Sequence, residues 1–245
     1  MKKISYLAAL VLIIFSCGGN TENNTATTEN EITLQEETQP SETTAANSEL
    51  INEEGTPEEI VEPSEDWLCI PGIKVGKINA NTSEADLKAL FLPENVITED
   101  ISVAGGLIRA TRVYPDTDNE AVVFWQDEDA PNNPERVVFE KANAQWKTNQ
   151  GIAVGTTLEE LEKLNGGPLK LYGFEWDYSG MVTSWEGGNL ENELKIGEKF
   201  ALQLGSNKAP GNSYGDILGE EEFMSNLPAI RERELKVISI SIIFN

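Results

Sequence analysis

The chain has 245 residues, of which 42 are acidic and 18 are basic, and it contains no histidine and two cysteines. A net charge of −24 repels nucleic acid, so we exclude DNA and RNA as partners. The lack of histidine excludes Ser-His-Asp and Cys-His hydrolysis and histidine-based zinc sites. Neither of the common glycine-rich motifs that bind nucleotide phosphates is present.

The first residues have the features of an export signal. Lys2 and Lys3 precede an apolar run from Leu7 to Phe15, which is shorter than the roughly 20 residues that cross a bilayer. Together with Cys17, this run resembles the lipobox of bacterial lipoproteins, which implies that the cysteine carries an acyl chain such as palmitate and contacts membrane lipid. The alternatives are a plain secretory signal that is cut nearby and an uncleaved anchor. Gly18 stands where an acid signals inner-membrane retention, so the resemblance favours the outer membrane and leaves its periplasmic or surface side open.

Residues 17–66 have the composition of a disordered segment. They contain fourteen acidic residues and no Lys or Arg, and half of the others are Thr, Asn and Ser. So few large apolar groups cannot offset the entropy lost on ordering the chain. A coil of this length averages about 40 Å from end to end. We therefore predict a signal peptide over residues 1–16 and a lipid-anchored acidic tether over residues 17–66.

The body contains two segments with matching patterns, residues 72–90 and 151–164, and each predicts a short strand, a glycine turn and a helix. Both have capping-box spacing, a hydroxyl followed three residues later by an acid, in Ser83 with Asp86 and in Thr157 with Glu160. Strand-like segments follow both helices. The predicted fold class is therefore α+β, with two tandem repeats of strand, helix and antiparallel strands, helix packed on sheet, over residues 67–150 and 151–245. Cys69 has apolar neighbours, which predicts a buried, inert thiol.

The second helix segment, GTTLEELEKLNGGP, resembles the opening motif of the small lipoprotein of the outer-membrane β-barrel assembly machinery. The two-copy arrangement is similar to that of β-lactamase inhibitory protein. The residues in register with the motif are Gly155, Thr157, Leu161, Gly166 and Pro168. The first copy keeps the glycine and the helix but has FLPEN in place of the Gly-x-Pro exit. The resemblance implies a module that binds other proteins in the cell envelope.

The stretch LYGFEWDYSGMVTSW concentrates five aromatic residues. On one strand, a single face would carry Tyr172, Phe174, Trp176 and Tyr178. Acids at the alternate positions favour the interpretation that this aromatic face lies in the core. The alternative is an exposed platform for a sugar ring or a partner's apolar patch. Its candidate binding residues are Trp176, Tyr178 and Trp185.

These observations predict a lipid-anchored envelope protein whose body binds another protein. We expect no enzymatic activity, catalytic residue, cofactor or metal, although the abundance of acids leaves carboxylate-pair catalysis open. The alternative function is binding of a carbohydrate or small ligand by the aromatic strand face. Whether residues 206–234, between the last two predicted strands, are ordered also stays open.

Overall fold

Strands dominate the part of the chain that can be described. A computed structural model describes residues 67–103 and 105–244. The predicted signal peptide, Cys17 and the acidic tether lie outside the described residues, so they stay predictions. All of the described residues belong to one compact unit, Pro57–Asn245. No helix among them is long and apolar enough to cross a membrane.

The described residues form thirteen strands, three α-helices and two short 3-10 helices. The strands are β1 (Leu68–Ile70), β2 (Lys74–Val75), β3 (Ile78–Asn79), β4 (Val96–Val103), β5 (Gly106–Val113), β6 (Ala121–Trp125), β7 (Pro134–Phe139), β8 (Lys147–Thr148), β9 (Lys170–Tyr172), β10 (Val182–Ser184), β11 (Phe200–Gly205), β12 (Glu222–Met224) and β13 (Lys236–Ile243). The helices are α1 (Glu84–Phe91), α2 (Leu158–Asn165) and α3 (Pro228–Arg231), with 3-10 turns at Pro93–Asn95 and Tyr214–Ile217.

The largest sheet has six antiparallel strands in the order β11-β13-β7-β6-β5-β4. Its strands are rich in β-branched and aromatic residues, which suit a half-buried pleated surface. One row of side chains in register across four strands is fully buried, and it consists of Val123, Val137, Ile242 and Phe200. Burial of each such side chain contributes about 1.5–3 kcal/mol. The core therefore lies against this face of the sheet.

Both predicted capping boxes are confirmed. The Ser83 side chain caps α1 and the Thr157 side chain caps α2. Each accepts a hydrogen bond from the backbone amide of the acid at the third helical position, and that acid's carboxylate accepts one from the amide of the capping residue. Helix α2 ends at Asn165, and the Gly166 that caps it has a φ of 78°, a left-handed conformation that suits glycine. Both helices have only eight residues, so each covers a small part of the core.

The predicted α+β fold with two tandem helix-on-sheet repeats is wrong, because the protein is mostly β. Strands β4 to β7 come from residues 67–150 and strands β11 and β13 from residues 151–245, yet all six form one sheet. Strand β13 lies between β11 and β7, so the backbone hydrogen bonds between β13 and β7 join residues 151–245 to residues 67–150. The sequence pattern identified helix caps and strands, but it contains no information on which strands pair.

A second, four-stranded sheet has the order β3-β2-β1-β8, and all four of its strands come from residues 67–150. Strands β1 and β8 are parallel, with Cys69 opposite Thr148. Cys69 is 0% exposed, and this burial raises the pKa of its thiol to about 12. The prediction that Cys69 is a buried thiol is therefore confirmed.

Candidate functional site

The aromatic stretch does not form the single long strand that its alternation predicts. Strand β9 ends at Tyr172, and the returning strand β10 begins at Val182. Between them Glu175 adopts a φ of 66°, a left-handed conformation that interrupts extended backbone. The chain therefore bends, and its aromatic side chains separate into a buried group and a group of half-buried and exposed rings.

The buried group consists of Phe174 and Trp185. Phe174 is 5% exposed and Trp185 is 1% exposed, and both pack in the core. The indole Nε1–H of Trp185 donates a hydrogen bond of 2.6 Å to the carbonyl of Leu194, so its polar group is satisfied inside the protein. For these two residues the core interpretation is confirmed, and the Trp185 side chain does not reach the surface to contact a ligand.

The other three rings form a connected group at the surface, which we call the aromatic cluster: Tyr172, Trp176 and Tyr178. The Trp176 ring lies 5.0 Å from Tyr172 and 5.2 Å from Tyr178, at interplanar angles of 84° and 66°. These edge-to-face arrangements are favourable for aromatic pairs. Trp176 donates its Nε1–H to the carbonyl of Gly173 at 3.1 Å. The Tyr178 side chain at the end of the cluster is 53% exposed. Two of the three predicted binding residues therefore lie together, and Tyr172 joins them.

Residues 206–234 hold the aromatic cluster in place. Strand β12 from this segment pairs with β9 and places Glu222 directly opposite Tyr172. The amide of Gly173 donates to the carbonyl of Glu221 at 2.9 Å. Gly173 is required here because a Cβ would lie only 2.6 Å from the carbonyl oxygen of Gly219. The segment left open by the sequence is thus ordered, and it forms one side of the site.

A second set of contacts fixes the bend at Glu175. Tyr214 donates its hydroxyl to Glu175 Oε1 at 2.7 Å. Partial burial, followed by this hydrogen bond, raises the pKa of the Tyr214 phenol. The guanidinium of Arg233 lies 4.7 Å from the centre of the Tyr214 ring and donates to the carbonyl of Lys208 at 2.7 Å. Contacts from residues 206–234 therefore hold the bend that carries the aromatic cluster.

The surroundings of the cluster are acidic. Asp177 lies between Trp176 and Tyr178 in the chain, and Glu222 lies across from Tyr172. Both acids are exposed, and neither forms an ion pair with another described residue. The nearby Lys170 is already paired with Glu186 at 3.1 Å. The local charge at the cluster is therefore negative.

Other surfaces of the described residues have fewer groups that could bind a ligand. A groove of about 400 Å³ on the outer face of the six-stranded sheet has a floor that includes Val122, Phe124 and Val138. Its rim acid Glu120 is 2.5 Å from Arg112, so this carboxylate is satisfied within the protein. Among the described residues, no group of three Cys, Asp or Glu side chains could hold a metal ion. The aromatic cluster is the stronger candidate site.

The sequence contained a pattern for one of the two site residues that sequence reasoning missed. Tyr172 could have been added to the site from its alternation with Trp176, but Glu222 could not. Glu222 is fifty positions from Tyr172 and reaches it only through the pairing of β12 with β9. No local pattern of residues specifies that pairing.

The chain matches no protein-family model and no curated protein. Among solved structures it is similar to the uncharacterized protein yfeY from Escherichia coli. The similarity covers 71% of this chain and 98% of that chain, at 16% sequence identity and a TM-score of 0.42.

Proposed function

We propose that the protein is a non-catalytic binding module of the bacterial cell envelope, anchored through an acylated Cys17, which contacts a protein partner with its aromatic cluster. The single observation that carries the proposal is the supported surface group in which the exposed Tyr178 adjoins the half-buried Trp176 and Tyr172. Tyrosine and tryptophan are enriched where protein interfaces concentrate their binding energy. Tyr178 offers its ring to solvent, and the hydrogen bond of Trp176 to Gly173 fixes the ring beneath it.

Support from the backbone makes the cluster suitable for binding. A partner that contacts rings already held in place loses less conformational entropy than one that must order a loop. The ladder between β9 and β12 and the anchored bend at Glu175 supply this order. The cluster can therefore act as a preformed contact surface.

Binding of a sugar by the same rings is the weaker alternative. A platform that stacks a carbohydrate on several rings at once requires ring faces that point outward together. The rings of Tyr172 and Tyr178 instead meet Trp176 at 84° and 66°, so neighbouring rings present faces in different directions. Rings inclined to one another in this way can pack against protein side chains of varied shape better than against a flat sugar ring.

The membrane part of the proposal comes from the sequence. The lipobox resemblance at Cys17 supports acylation, and Gly18 supports the outer membrane. The acidic composition of residues 17–66 supports a flexible tether that would hold the body away from the bilayer. Metabolic labelling with a palmitate analogue checks this part, because Cys17→Ala should abolish incorporation of the label.

In-cell photo-crosslinking tests the binding surface. A photoreactive amino acid at position 178 should capture one reproducible envelope protein, which mass spectrometry identifies. The matched control carries the same group at position 107, because Leu107 is 72% exposed and lies on the separate strand β5. Capture of no protein from position 178, or of the same proteins from both positions, would contradict the proposal.

A further inference from the structure

The acids beside the aromatic cluster indicate which kind of partner fits it. We infer that the partner contacts the cluster with a basic segment, in which arginine side chains lie on the aromatic rings and pair with Asp177 and Glu222. This inference rests on the proposed function and names the chemistry of its partner.

The register of the small sheet places one acid against the rings. Glu222 lies opposite Tyr172 in the antiparallel pair of β12 and β9, so the two side chains project from the same face of the sheet. Asp177 adjoins the two other rings in the chain, between Trp176 and Tyr178. One carboxylate thus lies on the same face of the sheet as Tyr172, and a second is a chain neighbour of Trp176 and Tyr178.

Neither carboxylate forms an ion pair among the described residues, and the same holds for the exposed Glu221 beside Glu222. Other acids near the sheets are paired. Glu186 is paired with Lys170 at 3.1 Å, and Glu162 is paired with Arg231 at 2.5 Å. Asp177 and Glu222 remain exposed and without such pairs. A partner's cations would supply the missing charge at these two positions.

Arginine meets both parts of the surface better than lysine does. The face of an aromatic ring attracts a cation, and a planar guanidinium can stack on the ring while its N–H groups bind a carboxylate. The compact ammonium of lysine is more strongly hydrated and does not stack in this way. The exposed ring of Tyr178 beside Asp177 is the position where we expect the first arginine to bind.

Three synthetic peptides of equal length test the inference against the full chain in detergent micelles. They carry three arginines, three lysines or three citrullines, each separated by Gly-Ser. Citrulline has nearly the shape of arginine and lacks its charge. Binding is followed through the indole N–H resonance of Trp176, which the Trp176→Phe variant identifies. We expect the arginine peptide to bind at least tenfold more tightly than the citrulline peptide, with the lysine peptide between them.

Variants distinguish the effect of the local site on peptide binding from the effect of the protein's net charge. Tyr178→Ala should weaken binding of the arginine peptide about tenfold, and Glu222→Gln should weaken it about threefold. The control is Glu94→Gln, which removes the same charge from an exposed acid in the distant 3-10 turn and should leave binding unchanged. Equal binding of the arginine and citrulline peptides, or equal effects of Glu94→Gln and Glu222→Gln, would overturn the inference.

The outcomes also distinguish this inference from the proposed function. If crosslinking from position 178 captures a partner but charge in the peptides has no effect, the aromatic surface binds protein and the basic segment is wrong. If crosslinking captures nothing and the arginine peptide still binds through Tyr178, the charge preference stands and the cellular role fails.

Discussion

The six-stranded sheet and the three-stranded sheet of β10, β9 and β12 use their apolar residues in different ways. The large sheet has strands of up to eight residues and buries rows of side chains such as Val123 and Val137 completely. The small sheet has strands of three residues, and part of its aromatic surface faces solvent. Long strands thus provide stability, whereas short strands and an anchored bend leave aromatic side chains accessible to solvent.

The largest expected effect lies in the large sheet. Ile240→Ala removes a fully buried side chain of β13 that lies between Phe139 and Leu202. We expect a loss of about 2–5 kcal/mol in the free energy of unfolding, because the cavity cannot collapse between packed strands. Urea denaturation measures the change, and a loss below about 1 kcal/mol would contradict the role of this sheet as the stable part of the molecule.

A glycine at the junction of the two sheets gives the next effect. Gly180 has a φ of 69°, and a Cβ there would lie 2.1 Å from the carbonyl oxygen of Leu204 in β11. We expect Gly180→Ala to cost about 2–4 kcal/mol, from backbone strain and from displacement of the neighbouring strand. The control, Gly187→Ala, has a similar φ of 74° but no neighbour within 4 Å, so it should cost about 1 kcal/mol. Thermal unfolding of both variants should show this difference, and equal shifts would contradict it.

The cap of α2 gives a moderate effect that depends on pH. Thr157→Ala removes the side chain that accepts from the amide of Glu160, and we expect it to cost about 1 kcal/mol. Hydrogen bonds from the amide and then the hydroxyl of Thr157 lower the pKa of Glu160 below its ordinary value of 4.5. The stabilising contribution of Glu160 is therefore present above pH 4.5 and is lost as the pH falls through the lowered pKa.

Urea denaturation at pH 7 and at pH 3 measures this dependence. The Glu160→Gln variant should lose less stability between the two pH values than the unmodified protein loses. If the two proteins respond equally to acid, the capping carboxylate does not contribute to stability.

The smallest expected effect on stability lies in the aromatic cluster. Tyr178→Ala should change the free energy of unfolding by less than about 0.5 kcal/mol, because the side chain is more than half exposed. The same variant should lose its partner in co-purification from cells. A variant that unfolds readily would instead show that Tyr178 stabilises the fold.

The sequence predicted local features well, and it failed where distant segments meet. The caps at Ser83 and Thr157 depend on residues three positions apart, so their pattern is visible in the chain. The alternation of aromatics predicted a strand, but contacts of Glu175 with Tyr214, 39 positions away, stabilise a bend instead. The pairing of β13 with β7 also joins residues about one hundred positions apart. Such pairings depend on the packing of the whole molecule, which a local pattern does not encode.

The position of β13 has a consequence for how the protein matures. Strands β7 and β11 both take β13 as a neighbour, so each has an open edge until residues 236–243 are available. During synthesis, which proceeds from the N-terminus, the main sheet cannot close until this segment has emerged. Unpaired strand edges can pair with other chains, so chaperone protection of β7 and β11 before β13 is available would be advantageous.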